Sequence, residues 1–175
     1  MTPASEIAAR WCYAELRSTR FGCTYKQQSL ISTDLWDKAH QRLPFKELIA
    51  DEIQSLEKTL QQHPDRGPAF YPLLMSFPHY AREKWDYGQL CQVVVVPYFG
   101  CRSFPDFELD PHVTVKEKLD KITDEFSQDE PIIVVYFQGR LMLLEGTLRS
   151  LWFARDRQPS TRLEVWVPVK SALTK

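Results

Sequence analysis

Apolar residues recur along this chain in two rhythms, and each predicts its own kind of element. Phe45, Leu48, Ile49, Ile53, Leu56 and Leu60 follow one another at helical spacing, with Lys46, Glu47, Asp51, Glu52, Glu57 and Lys58 on the opposite, solvated face. Pro44 sits where the first turn begins, and His63-Pro64 closes the pattern because the residue before a proline is pushed out of the helical region. The spacing therefore predicts a helix from Pro44 that stops before His63. Thr114 and Glu117 form a capping box opening a second helix, with Val115, Leu119, Ile122 and Phe126 on its buried side and an end near Ser127. Strand rhythm takes over in the last third. Ile132 to Phe137 is a β-branched run, Gln138-Gly139-Arg140 a tight turn, and Leu141 to Leu144 the returning strand. Gly146 and Thr147 break that run, and Leu148, Leu151, Trp152 and Ala154 fit a short helix ending near Arg157. Arg162 to Val167 alternates as a last strand, with Leu163, Val165 and Val167 on one face.

Elsewhere the pattern is less regular. Residues 5–17 mix helix formers with aromatic residues and read equally as a helix or as a late strand from Trp11 to Leu16. Residues 18–32 read as a hairpin, followed by a short helix N-capped by Asp34 and running through Leu43. Residues 63–89 place Phe70, Tyr71, Phe77, Tyr80, Trp85 and Tyr87 among Pro64, Gly67, Pro68, Pro72, Pro78 and Gly88, the mark of a long aromatic connection. A central strand is predicted over residues 90–98 and a loop over residues 100–111. No repeat, heptad or low-complexity segment interrupts the reading.

With 43% hydrophobic and 13% aromatic residues in a chain of 175, the expectation is a single domain over residues 1–175. Lys plus Arg, at 22, nearly balance Asp plus Glu, at 23, so any site for a polyanion must be local. Residues 101–130 hold nine acids against four bases, whereas residues 139–175 hold seven bases against three acids. No apolar run approaches the roughly 20 residues that span a bilayer, and the start of the chain lacks the order of a signal peptide. A cytoplasmic protein without a membrane span is the expectation. Cys12, Cys23, Cys91 and Cys101 lie too far apart for zinc-site spacing and are expected to be reduced and structural.

Candidate chemistry concentrates in Glu145-Gly146-Thr147-Leu148-Arg149-Ser150, where a strand gives way to a helix. Glycine permits the tight turn, the amides at the helix start point outward, Arg149 adds a forked donor, and Thr147 and Ser150 add hydroxyls. Residues 131–168 thus read as a phosphate- or nucleotide-handling unit. Cleaving a phosphoryl or phosphodiester bond needs charge neutralisation, a water activator and often a metal. Arg149 and the amides after Gly146 fit the first need, and Glu145 is the nearest base or metal ligand. Asp106, Glu108, Asp110 and His112 have a spacing compatible with a divalent cation, although alternate acids in a loop more commonly face solvent. Arg155, Arg157 and Arg162 extend the positive surface and suit a DNA backbone, or equally a salt-bridged helix end. Trp152, Phe153 and Trp166 fit core packing better than base stacking, and His79 is a lone histidine in the aromatic segment.

The order strand, glycine hairpin, strand, Gly-x-x-Arg, helix and strand ending in Val167-Pro168-Val169 resembles the nucleotide-binding unit shared by ParB-type partition proteins and sulfiredoxins. Gly146 and Arg149 fall on the shared positions. Thr147 stands where sulfiredoxins carry a reactive cysteine, which argues against thiol chemistry. Leu148 replaces a phosphate-holding histidine or arginine, and no helix-turn-helix of the partition proteins can be read. The Gly146-Thr147-Leu148-Arg149-Ser150-Leu151-Trp152 stretch further resembles plasmid fertility-inhibition factors of the Osa and FiwA type, over about the last 45 residues. That resemblance implies an α+β ParB/sulfiredoxin-like fold with a mixed sheet and flanking helices. It also implies ATP hydrolysis with a divalent cation such as Mg²⁺, DNA degradation, and a block on conjugative transfer of a competing plasmid or T-DNA. The partners implied are a nucleotide, a DNA backbone and a type IV secretion or coupling protein, in or beside the bacterial inner-membrane apparatus. Two other readings stand beside it. One is an inactive interaction module; the other is a small-molecule kinase or ADP-ribosyltransferase on the same fold.

Overall fold

A computed structural model describes residues 1–18, 22–27, 31–95, 101–111, 113–120, 131–155 and 159–170. In chain order the described elements are β1 (Thr2–Pro3), α1 (Ala4–Glu15), α2 (Gly22–Gln27), α3 (Thr33–His40), α4 (Ala50–Gln62), α5 (Arg66–Met75), β2 (His79–Trp85), α6 (Tyr87–Leu90), β3 (Val94–Val95), β4 (Arg102–Ser103), α7 (Phe104–Leu109), α8 (Val113–Asp120), β5 (Ile133–Phe137), β6 (Arg140–Glu145), α9 (Thr147–Arg155) and β7 (Leu163–Pro168). The fold is of the α+β class, with a mixed seven-stranded sheet in the order β1-β2-β7-β5-β6-β3-β4. The chain divides into two compact units, residues 1–80 with 169–175, and residues 81–168.

The first unit is helical. Helix α1 packs against α4 and α5, and Ala8, Ala9, Trp11 and Cys12 are all fully buried on it. A helix covered on nearly every side shows no amphipathic stripe, which explains why residues 5–17 read two ways. A 3₁₀ turn (Phe45–Glu47) follows Pro44, and α4 begins only at Ala50, with Ile49 N donating to the Glu52 carboxylate at 3.0 Å. The long helix expected from Pro44 is thus shortened, and Ile49 is left exposed rather than on the core face. Ser32, not Asp34, caps α3: its hydroxyl accepts from Leu35 N at 3.2 Å. The hairpin expected over residues 18–32 is replaced, in its described part, by α2.

The connection expected over residues 63–89 is instead mostly regular structure, in α5, β2 and α6. Pro68 lies in the first turn of α5, where its missing N–H goes unmissed; Pro72 sits inside the helix, which continues to Met75. Tyr80 is fully buried, and its hydroxyl donates to Leu74 O at 2.9 Å. Thr2 and Pro3 pair with Tyr80 and His79, so β1 joins the first two residues of β2.

The second unit is built on the sheet. β5 and β6 form an antiparallel hairpin, β5 runs parallel to β7, and β3 runs parallel to β6 and antiparallel to β4. Gln138 and Gly139 both take positive φ, 49° and 76°, the pairing that matches the twist of a two-residue hairpin. Ile132, Val134, Leu143, Leu151, Phe153, Ala154, Val165 and Val167 share one core cluster, which fastens one side of α9 to the sheet. β3 is confined to Val94–Val95 among the described residues. The loop expected over residues 100–111 contains β4 and α7, with Ser103 as N-cap and Pro105 in the first turn. Helix α8 starts at Val113, which places Thr114 inside its first turn rather than at the cap expected there; Leu119 is buried, while Ile122 and Phe126 lie outside the described residues.

Candidate functional site

The loop between β6 and α9 is shaped by the residues that face it across the hairpin. Ile133 faces Glu145 and Val134 faces Leu143, so Leu144 is an extra residue in β6 and the ladder bulges at its last step. A bulge re-aims the side chain at a strand end, here Glu145, which is half-buried. Gly146 follows at φ 97°, and a Cβ placed on it would stand 2.6 Å from Ile132 Cγ1 and 3.1 Å from Ile132 Cα. Any side chain there would force Ile132, just ahead of β5, to shift. Ser150 N donates to Gly146 O at 2.9 Å as the first bond of the helical ladder, so the amides of Thr147 and Leu148 precede it at the helix N-terminus. This is the end at which aligned peptide dipoles leave partial positive charge.

The side chains divide between two faces. Arg149 is half-buried in the first turn, with Nη1 shielded from solvent. Thr147 is half-buried, and Leu148 packs on the core cluster. Ser150 is fully buried, and its hydroxyl finds no hydrogen-bond partner among the described residues. Glu145 and the half-buried Arg149 thus flank the start of α9 on either side of a glycine at which any other residue would be strained. A helix N-terminus with an arginine in its first turn suits an anion.

Other candidates lie apart from it. Arg155 is exposed at the end of α9, Arg162 is exposed before β7, and Arg157 lies outside the described residues. Phe153 is core, Trp152 packs against the core from a partly buried position, and the Arg82 guanidinium lies 5.9 Å from the Trp166 ring centroid. His79 is exposed, and its carbonyl accepts from Val169 N at 2.9 Å. The acid-rich segment spends its side chains locally. Asp106 bonds Ser103, Glu108 takes the Tyr87 hydroxyl, and Asp110 lies 3.6 Å from Arg102. His112 lies outside the described residues, and no group of three metal-ligating side chains occurs among those described. Cys12 is buried, Cys91 half-buried and Cys101 exposed, all as free thiols; burial pushes the Cys12 thiol up.

A buried polar cluster in the first unit has no counterpart in the sequence reading. Glu15 accepts the Tyr25 hydroxyl at 2.8 Å and lies 3.0 Å from Arg66 Nε. His63 Nδ1 accepts from Asp65 N and Arg66 N, both at 3.1 Å, and its ring lies 4.8 Å from that of Tyr25. Burial pushes the His63 imidazole down, with Glu15 and Asp65 opposing and Arg66 adding to the shift. These residues come from α1, α2, the end of α4 and the start of α5, so no local spacing announces them.

No protein-family model, curated protein or solved structure matches the chain.

Proposed function

We propose that the Glu145–Ser150 loop binds the phosphates of a nucleotide and promotes their hydrolysis, on a domain of ParB/sulfiredoxin type. The observation that carries this reading is Gly146: positive φ and contact with Ile132 bring bare backbone to the start of α9, beside Arg149. Arg149 and the outward amides would neutralise the phosphate oxygens as charge develops on them. Glu145 would orient or deprotonate the attacking water. A magnesium ion is typically held by one or two carboxylates together with substrate phosphates, and a single Glu145 suits that donor set. Such an ion, when bound, would supply further charge neutralisation, with Glu145 as its protein ligand.

The role proposed for this activity is that implied by the resemblance to plasmid fertility-inhibition factors. It is a block on conjugative transfer through a type IV secretion system, with DNA cleavage at the same loop and Arg155 on the DNA backbone. Purified protein should release phosphate from ATP in the presence of Mg²⁺, and Arg149→Ala should abolish the release. Unchanged turnover in that variant would remove the loop from the mechanism.

One observation favours a second reading. Leu148 packs on the core where a charged phosphate ligand stands in the proteins resembled, which suits an inactive module that blocks a secretion or coupling component by surface contact. Suppression of mating by both Arg149→Ala and Glu145→Ala donors, with no ATPase or nicking in the parent protein, would select it.

A further inference from the structure

A groove of about 450 Å³ opens in the second unit, lined among others by Asp86, Tyr87, Phe153, Pro159, Thr161 and Arg162. It falls within the roughly 300–1,000 Å³ range of small-ligand sites. Its two charges are fixed by their own backbone. Arg162 Nη1 donates to Pro159 O at 2.9 Å and Thr161 O at 3.0 Å, which leaves Nε and Nη2 as donors. Asp86 caps α6, its Oδ1 accepting from Gln89 N at 2.9 Å, which leaves Oδ2 as an acceptor. These tethers hold the guanidinium and the carboxylate on separate segments, and no ion pair joins them. Buried Phe153 and the half-buried ring of Tyr87, whose hydroxyl is held by Glu108, supply the apolar lining.

A lone phosphate would meet Arg162 but also the repelling Asp86, and a polyamine would meet the reverse. A molecule with both charges satisfies both groups. We propose that this groove binds a small zwitterion with an apolar side chain, its carboxylate on Arg162, its protonated amine on Asp86 and its side chain against Tyr87 and Phe153. A free amino acid and a dipeptide share this chemistry and differ in the span between their charges. The proposal is independent of the phosphate loop.

Calorimetric titration of the whole chain with L-phenylalanine, Gly-Phe, N-acetylphenylalanine, phenylalanine amide and AMP tests it. Phenylalanine or Gly-Phe, according to the span, should bind saturably and at least about tenfold tighter than the blocked analogues. Asp86→Asn, which keeps a good helix cap, should lose the discrimination against the acetylated ligand only. Arg162→Gln should lose the discrimination against the amide only, whereas a folding defect would weaken every ligand together. Absence of saturable binding by both zwitterions, or equally tight binding of AMP or the blocked analogues, would overturn the proposal.

Discussion

Gly146 and Ser150, joined by the first hydrogen bond of α9, make opposite demands on substitution. A side chain at Gly146 meets both a positive φ and Ile132 at 2.6 Å, so Gly146→Ala should lower stability by about 1–3 kcal/mol, measurable by urea denaturation. Ser150 buries a hydroxyl without a partner among the described residues. Removing such a group relieves a desolvation cost, and Ser150→Ala should therefore raise stability, by about 1 kcal/mol. A loss of stability in Ser150→Ala would contradict this. In the buried cluster, Arg66→Met would strand the Glu15 carboxylate, which Arg66 Nε now approaches to 3.0 Å. A loss of about 3–5 kcal/mol is expected, with part of it recovered when Glu15→Gln is added.

At the scale of elements, the C-terminal third was the most legible. Its hairpin is fixed by a two-residue turn, and its last strand alternates cleanly, with Leu163, Val165 and Val167 all buried. Both signals are local. The Gly-x-x-Arg spacing was legible too, but the bulge that turns Glu145 was not, because it depends on which residue of β5 lies opposite. Helix α5 was hidden by Pro68 and Pro72, read as loop punctuation although one lies in a first turn and the other is carried within the helix. Pro105 misled in the same way, since a proline in a first turn starts a helix as readily as it marks a loop. The Glu15, Tyr25, His63 and Arg66 cluster was illegible, its members being up to 51 residues apart in sequence (66 − 15).

At the scale of the whole molecule, stability should depend on pH through His63. Its Nδ1 accepts two backbone amides, so the folded chain holds the neutral ring, and burial lowers its affinity for a proton. The unfolded chain takes up that proton first as pH falls below about 6.5. Stability is complete above that value and declines as pH drops toward the depressed folded pKa. His63→Asn, whose side-chain oxygen can accept the same amides, should flatten this part of the melting-temperature profile; an equally steep profile would assign the dependence to other groups.

The charge layout bears on function at the same scale. With near-neutral overall charge, no general field would draw a nucleotide in, and the proposed affinity would rest on the Gly146 loop itself. Equilibrium titration of the protein with ATP and with adenosine, in wild type and Arg149→Ala, measures this directly. ATP should bind, adenosine should bind at least about tenfold more weakly, and Arg149→Ala should remove the difference. Equal binding of ATP and adenosine by the wild type, or no binding of ATP, would contradict the proposed phosphate site.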